Sequence, residues 1–186
     1  MRLFIAVDLG EQIKAQVGRE LPRFKAFAPD AKWVRAEAMH ITLAFLGHLP
    51  DEKVPEIRGA MERAASRSAP AVVRAQGVGG FGSSRRPRVL WVGLGGDVAP
   101  LISAQSVLEG ELIPLGYQPE KRAFQPHLTL ARAREPQGEP GFATCVLKFK
   151  DSDFGETRID RLILFKSELS PKGARYTALS EAEFGI

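Results

Sequence analysis

A short motif occurs twice in this chain, and each copy has the pattern of a strand whose two faces differ. His-Ile-Thr-Leu at residues 40–43 recurs as His-Leu-Thr-Leu at residues 127–130, and the likeness extends over residues 36–44 and 123–131. Polar and apolar residues alternate in both copies, and strand side chains at i and i+2 share a face. The chain must therefore place two half-buried strands so that each presents a histidine and a threonine.

The alternation assigns these side chains to one face and the large apolar ones to the other. His40 and Thr42 share the polar face of the first strand, and His127 and Thr129 share it in the second. The residues expected to point into a core are Ile41, Leu43, Phe45, Leu128 and Leu130. Strands that face each other across a groove would bring two imidazoles and two hydroxyls together. Because imidazole titrates near neutrality and hydroxyls donate to oxyanions, we expect an acid–base pair around a phosphate.

Strand-like and helix-like segments follow one another in an order that indicates the fold class. Apolar spacing predicts one helix over residues 13–24, a second capped by Asp51, and a third ending near Gly116. Strands are predicted at residues 2–8, 31–35, 39–47, 71–76, 88–94, 144–149, 158–165 and 175–179, in addition to the second motif. So few helices cannot cover both faces of a wide sheet. We expect an α+β fold with two antiparallel sheets, helices outside and a central cleft.

Composition limits the partners and the location. The formal net charge of +4 and a pI near 9.4 favour a polyanionic partner, although weakly. The apolar run near the start stops at Asp8, which is too short for a membrane span or a signal-peptide core, so we expect a cytoplasmic protein without a membrane partner. The single cysteine, Cys145, excludes an internal disulfide, and we expect a buried, unreactive thiol in a strand.

Several segments beside the motifs match a known group of enzymes. They are residues 1–8, 33–35, 45–47, 81–83, 86–91, 126–132 and 168–176. Together with the paired motifs they resemble the two-histidine (2H) phosphoesterase superfamily, and within it the RNA 2′,3′-cyclic phosphodiesterases once called 2′-5′ RNA ligases. The resemblance implies a bilobal, pseudo-symmetric fold, one catalytic domain over residues 1–186, and a reaction that uses neither metal nor cofactor.

The resemblance also implies a role for each motif residue. His127 is expected to be the proton acceptor that activates water, and His40 the proton donor to the departing 3′ oxygen. Thr42 and Thr129 are expected to hold the non-bridging phosphoryl oxygens. The product would be a 2′-phosphate, and attack by a 5′-hydroxyl instead of water would give ATP-independent ligation. From the residues alone the choice of acid and base stays open, because the two motifs are so alike.

Arginines are the further candidates for binding substrate. Arg132 is the best, because a guanidinium matches phosphate geometry. Strict alternation puts it on the face opposite His127, so it reaches the cleft only from a strand end or a bulge. Arg85, Arg86 and Arg88 form a basic loop, for which contact with the RNA backbone and a solvated hairpin tip are equally good interpretations.

Other interpretations of the chain remain open at this stage. It could be a catalytically idle RNA-binding module, or an enzyme that acts on a small cyclic nucleotide. If the substrate is an RNA end, a tRNA-derived end is one candidate. A two-histidine zinc site lacks carboxylate or thiolate ligands in either motif. His48 is expected at the surface, and residues 77–82 satisfy G-x-G-x-x-G but precede no helix, so we expect a flexible loop there. The expected oligomeric state is a monomer.

Overall fold

Nine strands and four α-helices make up the protein, and the computed structural model describes residues 1–186. The strands are β1 (Arg2–Val7), β2 (Lys32–Trp33), β3 (Ile41–His48), β4 (Ala71–Gly82), β5 (Pro87–Gly96), β6 (His127–Arg132), β7 (Asp153–Ile159), β8 (Arg161–Ser170) and β9 (Gly173–Glu183). The helices are α1 (Gly10–Lys25), α2 (Val54–Ser66), α3 (Ala99–Leu112) and α4 (Pro140–Phe149). Short 3-10 helices occupy Ala36–Ala38, Asp51–Lys53 and Ile113–Leu115.

The strands form two antiparallel sheets, which confirms the predicted α+β class. The first sheet has the order β3-β1-β8-β9, and the second has the order β2-β6-β5-β4-β7. Helix α2 packs against β8 and β9, while α1 packs against β7 and α4 packs against β4 and β5. The two motif strands thus lie in different sheets, as the prediction of facing strands requires. None of the helices combines the length and apolar character needed to cross a bilayer.

Each motif strand contains a β-bulge at the leucine that follows the threonine. The pairing of β1 with β3 skips Leu43, and the pairing of β5 with β6 skips Leu130. A bulge adds one residue to a strand, so the side chains beyond it change faces. The prediction that Phe45 points into the core is therefore wrong: Ala44 is buried instead, and Phe45 is 47% exposed.

The segment predicted as a strand at residues 144–149 is helical, and it belongs to α4. Pro140 occupies the first turn, and the Glu139 carboxylate accepts a hydrogen bond from the backbone N–H of Gly141 at 2.9 Å, which caps the helix. Phe142, Cys145 and Phe149 are buried at helical spacing. This spacing was present in the sequence, but the β-branched residues beside Cys145 favoured the strand interpretation.

Cys145 is buried, as expected, although on a helix rather than a strand. Its Sγ lies 3.5 Å from the carbonyl oxygen of Phe24, and no part of the residue is exposed. Burial, with a smaller effect from Glu139, raises the pKa of the thiol to about 11. A thiol with so high a pKa is almost entirely protonated at neutral pH and is a poor nucleophile.

Four other predictions need correction in their boundaries or nature. The strand at residues 31–35 is reduced to β2, and Asp51 begins a 3-10 helix without capping it through its side chain. The strand at residues 158–165 is two strands, β7 and β8, which belong to different sheets. The glycine-rich residues 77–82 form the end of β4 rather than a loop. A side chain at Gly79 would overlap the Trp91 ring, so this glycine makes room for the indole.

Candidate active site

One large cleft, with a volume of about 750 Å³, collects the residues of both motifs. Its lining includes the imidazoles of His40 and His127 and the side chains of Thr42 and Thr129. Cα atoms of β3 and β6 approach within 8 Å of each other, so the cleft lies where the two sheets meet. The structure thus brings together the four residues that the repeated motif predicted, two from each sheet.

The two imidazoles are oriented in the same way by the backbone of their own loops. His40 Nδ1 lies 2.9 Å from the carbonyl oxygen of Ala38, and His127 Nδ1 lies 2.7 Å from that of Gln125. A carbonyl oxygen can only accept a hydrogen bond, so Nδ1 carries the proton in both rings. The Nε2 atoms are therefore the ones that remain for proton transfer.

Aromatic rings surround both imidazoles and exclude water from one side of each. Phe4 stacks on the His40 ring at a centroid distance of 4.6 Å, and Tyr176 meets it edge-on at 5.1 Å. Phe81 meets the His127 ring edge-on at 4.9 Å. Each histidine is thus supported against one wall of the cleft, which limits the rotation of its ring.

Burial lowers the pKa of His40 and of His127 below the ordinary value of 6.5. The hydrogen bonds from Nδ1 to the backbone carbonyls act in the opposite direction, because they favour the charged ring. The positive charge of Arg132 lowers the pKa of His127 further, and that of Lys14 does so for His40. Both rings are therefore predominantly neutral in the free protein at pH 7.

The two histidine–threonine pairs differ in one contact. His40 Nε2 lies 3.0 Å from Thr42 Oγ1, and because Nδ1 holds the proton of the neutral ring, the threonine hydroxyl donates this hydrogen bond. His127 Nε2 makes no equivalent contact with Thr129, which is half-buried on the same face. In the free protein the hydroxyl of Thr42 thus points at the His40 imidazole, and both side chains line the cleft.

The bulge in β6 places Arg132 in the cleft. The residue follows Leu130, which the pairing skips, and it lies opposite Val89 on β5 just as Thr129 lies opposite Trp91. Arg132 therefore faces the same side as Thr129 and lines the cleft. The sequence had allowed this position only through a strand end or a bulge, and a bulge provides it.

The bulge in β3 has the same effect on Phe45, which occupies the position five residues after His40, as Arg132 does after His127. Phe45 lines the cleft, and the guanidinium of Arg2 lies 5.0 Å from the centre of its ring. The two walls thus differ: Arg132 occupies this position in one, whereas in the other Phe45 occupies it and has the Arg2 guanidinium over its ring.

The remaining candidates from the sequence lie outside the cleft. Arg86 is exposed near the β4–β5 turn, and its guanidinium donates to the carbonyl oxygen of Gly138 at 3.2 Å. Arg88 is exposed on β5, one position before the cross-strand partner of Arg132. Neither arginine lines the cleft, so contacts of these two residues with RNA stay a prediction. His48 is exposed at the end of β3, as expected.

Several cleft residues gave no signal in the sequence. They come from segments outside the motifs and their matching flanks: Gln105 and Glu109 on α3, and Tyr117 and Glu120 after it. No group of three or more histidine, cysteine, aspartate or glutamate side chains, in the cleft or outside it, is arranged so that it could hold a metal ion.

Comparison with known proteins connects this geometry to a family. A family model described as LigT-like phosphoesterase matches residues 7–91 and 96–176. The chain is 32% identical over 181 residues to an RNA 2′,3′-cyclic phosphodiesterase of Methanocaldococcus jannaschii, with 97% of this chain and 99% of the relative covered. It is 34% identical over 179 residues to the protein of the same name in Archaeoglobus fulgidus, with 96% and 98% covered.

Solved structures agree with these sequence relatives. The chain superposes on the protein TT0787 of Thermus thermophilus with a TM-score of 0.82 and 29% identity, covering all of this chain and 98% of the other. With LigT of E. coli complexed with 3′-AMP the TM-score is 0.76 and the identity 26%, at the same coverage. Because the superpositions cover the whole chain, the similarity includes both sheets.

Proposed function

The chain belongs to the LigT-like phosphoesterase family, and on that premise we propose that it opens the 2′,3′-cyclic phosphate at an RNA end to give a 2′-phosphomonoester. Two relatives, 32% and 34% identical to this chain, are named for this activity, and the chain matches nearly their full length. The observation that carries the proposal is that both histidines are held through Nδ1, which leaves two Nε2 atoms for proton transfer in one cleft.

The proposed reaction needs one base and one acid. His127 Nε2 takes a proton from water, whose oxygen attacks the phosphorus. The bond between phosphorus and the 3′ oxygen breaks, and His40 Nε2 donates the proton that this oxygen needs. The products are a 2′-phosphate and a free 3′-hydroxyl, and the two histidines end with their protons exchanged. Return of one proton through solvent restores the starting state.

Charge builds on the two non-bridging oxygens as water attacks, and three side chains are proposed to stabilise it. Once His40 Nε2 is protonated it no longer accepts from Thr42, so the hydroxyls of Thr42 and Thr129 are both free to donate to these oxygens. The guanidinium of Arg132 contributes a full positive charge from the same wall as His127. Donors that are fixed on strands need little reorganisation during the reaction.

Substrate binding itself prepares the acid. Both imidazoles are largely neutral in the free protein, so one must gain a proton before the reaction. A bound phosphodiester carries a negative charge, and an opposite charge nearby raises the pKa of an imidazole. We propose that His40 takes up a proton from solvent when the substrate binds, so that the active charge state forms mainly in the complex.

The rest of the cleft supports an RNA end as substrate. Phe45 offers an aromatic face on which a nucleobase can stack, while the E. coli relative was crystallised with the nucleotide 3′-AMP. Both histidines come from one chain, so we propose a single catalytic domain of two lobes that acts as a monomer. Attack by a 5′-hydroxyl in place of water would make the same site a 2′-5′ ligase without ATP. The tRNA origin of the substrate and the cytoplasmic location stay predictions.

The test is opening of an oligoribonucleotide with a 2′,3′-cyclic phosphate, in buffer that contains EDTA. The wild type should open it, and His40→Ala and His127→Ala should each reduce kcat by about 10²- to 10⁴-fold. His48→Ala is the matched control, since the third histidine lies outside the cleft and its variant should keep full activity. Binding of RNA without opening would favour the idle RNA-binding module. Faster opening of free cyclic mononucleotides would favour a small nucleotide substrate.

A further inference from the structure

Helix α3 runs along the free edge of the motif strand β3. β3 is the outer strand of its sheet, and the side-chain amide of Gln105 donates to the carbonyl oxygen of Leu43 there, at 3.4 Å. Further along both elements, Leu112 lies with Leu46 and Leu49 around a small cavity. The helix therefore stays next to the strand from Leu43 to Leu46. Glu109, one helical turn beyond Gln105, lines the same cleft as the exposed ring of Phe45.

The polar groups on this side of α3 have partners missing. Gln105 is only 7% exposed and lines the cleft, and its one side-chain hydrogen bond is the one its amide nitrogen donates to Leu43. Glu109 is half-buried in the same cleft and forms neither an ion pair nor a hydrogen bond. A carboxylate repels the phosphate of an anionic substrate. Glu109 is therefore suited to contact a part of the substrate that is uncharged and donates hydrogen bonds.

Tyr117 extends this wall beyond the helix. Burial raises the pKa of its hydroxyl, and the nearby carboxylates of Glu109 and Glu120 raise it further. The hydroxyl thus stays protonated and can donate a hydrogen bond. The wall presents acceptors on Gln105 and Glu109 and a donor on Tyr117, all in the cleft that the Phe45 ring also lines.

We propose that Glu109 and Tyr117, next to Gln105 in the cleft lining, form a subsite that reads the Watson–Crick edge of a guanine stacked on Phe45, in the nucleotide that carries the cyclic phosphate. Guanine presents two adjacent donors, N1–H and the N2 amino group, which match the two oxygens of a carboxylate. Its neighbouring O6 accepts a hydrogen bond, which Tyr117 supplies. Adenine, cytosine and uracil have no such pair of adjacent donors. This inference rests on the proposed function, because it concerns the base next to the reacting phosphate.

Four oligoribonucleotides that differ only in the last base, each with a 2′,3′-cyclic phosphate, test the subsite. For the wild type we expect kcat/KM for the guanine end to exceed that for the uracil end by about fivefold or more, as one bidentate base contact provides. In Glu109→Gln one acceptor becomes a donor, so the ratio should fall close to one. Glu120→Gln removes the same charge from the cleft lining and should keep the wild-type ratio.

The outcomes separate the subsite from the reaction. Equal rates on all four ends by the wild type would refute the subsite and leave the proposed function standing. A guanine preference that survives Glu109→Gln, or that disappears equally in Glu120→Gln, would also overturn the assignment. Failure to open any of the four ends would refute the proposed function and the subsite with it.

Discussion

Replacement of Arg132 by glutamine tests whether the bulge in β6 really delivers a charge to the substrate. A hydrogen bond to a charged group contributes about 1.5–3 kcal/mol. Arg132 is exposed, so solvent screens its charge and the lower end of this range applies. A loss of about 1.5 kcal/mol corresponds to roughly a tenfold fall in kcat/KM. We expect that fall for Arg132→Gln in the opening of a cyclic-phosphate oligoribonucleotide.

The matched control for this prediction is Arg88→Gln. Arg88 is also exposed, and it precedes the cross-strand partner of Arg132, but it does not line the cleft. Its replacement removes the same charge from the same sheet and should change kcat/KM by less than about twofold. A second readout concerns His127, whose pKa Arg132 lowers, so in Arg132→Gln this pKa should rise when followed by NMR. Equal losses in the two variants would refute a local role and indicate a general effect of net charge.

Three further predictions follow from the burial of the titrating groups. The pH profile of kcat/KM reports the free enzyme and should be bell-shaped, because the active form carries one proton on the pair of imidazoles. Its optimum should lie below pH 6.5, because burial lowers the pKa of both rings and activity is lost when the pair gives up its remaining proton. The profile of kcat should lie at higher pH, because bound phosphate raises these pKa values; coincident profiles would contradict this. The free energy of unfolding, measured by urea titration, should decrease as pH falls below 6.5, because histidines in the unfolded chain then bind protons that the buried imidazoles do not. His40→Gln removes one of these groups and should make the free energy of unfolding less dependent on pH. Cys145 should resist iodoacetamide at pH 8 in the native protein and react in urea; rapid labelling of the native protein would show that the site opens.

The motif strands were predictable because their side chains obey a local rule. Alternation at His40 and Thr42, and again at His127 and Thr129, needs no knowledge of the partner strand. The bulges depend on that partner: whether Leu43 is skipped is decided by how β3 aligns with β1. The face of Phe45 was therefore predicted wrongly, while the position of Arg132 could be stated only as a condition.

Tertiary contacts account for the other differences. The helix at Pro140–Phe149 was concealed by the β-branched residues near Cys145, although Glu139 and Pro140 form an ordinary helix start. The wall made by Gln105 and Glu109 depends on α3 lying beside the edge of β3, which no periodicity within α3 reveals. A sequence shows which face of a helix is apolar, but it does not show which strand edge the polar residues will meet.

The position of the phosphate after ring opening is the most direct test of the paired-histidine account. The oligoribonucleotide with a 2′,3′-cyclic end should be opened in H₂¹⁸O with EDTA present, and the product analysed by ³¹P NMR and mass spectrometry. With His127 activating water and His40 protonating the 3′ oxygen, we expect a 2′-phosphate with one ¹⁸O bound to phosphorus. A 3′-phosphate, or a product without the label, would contradict it.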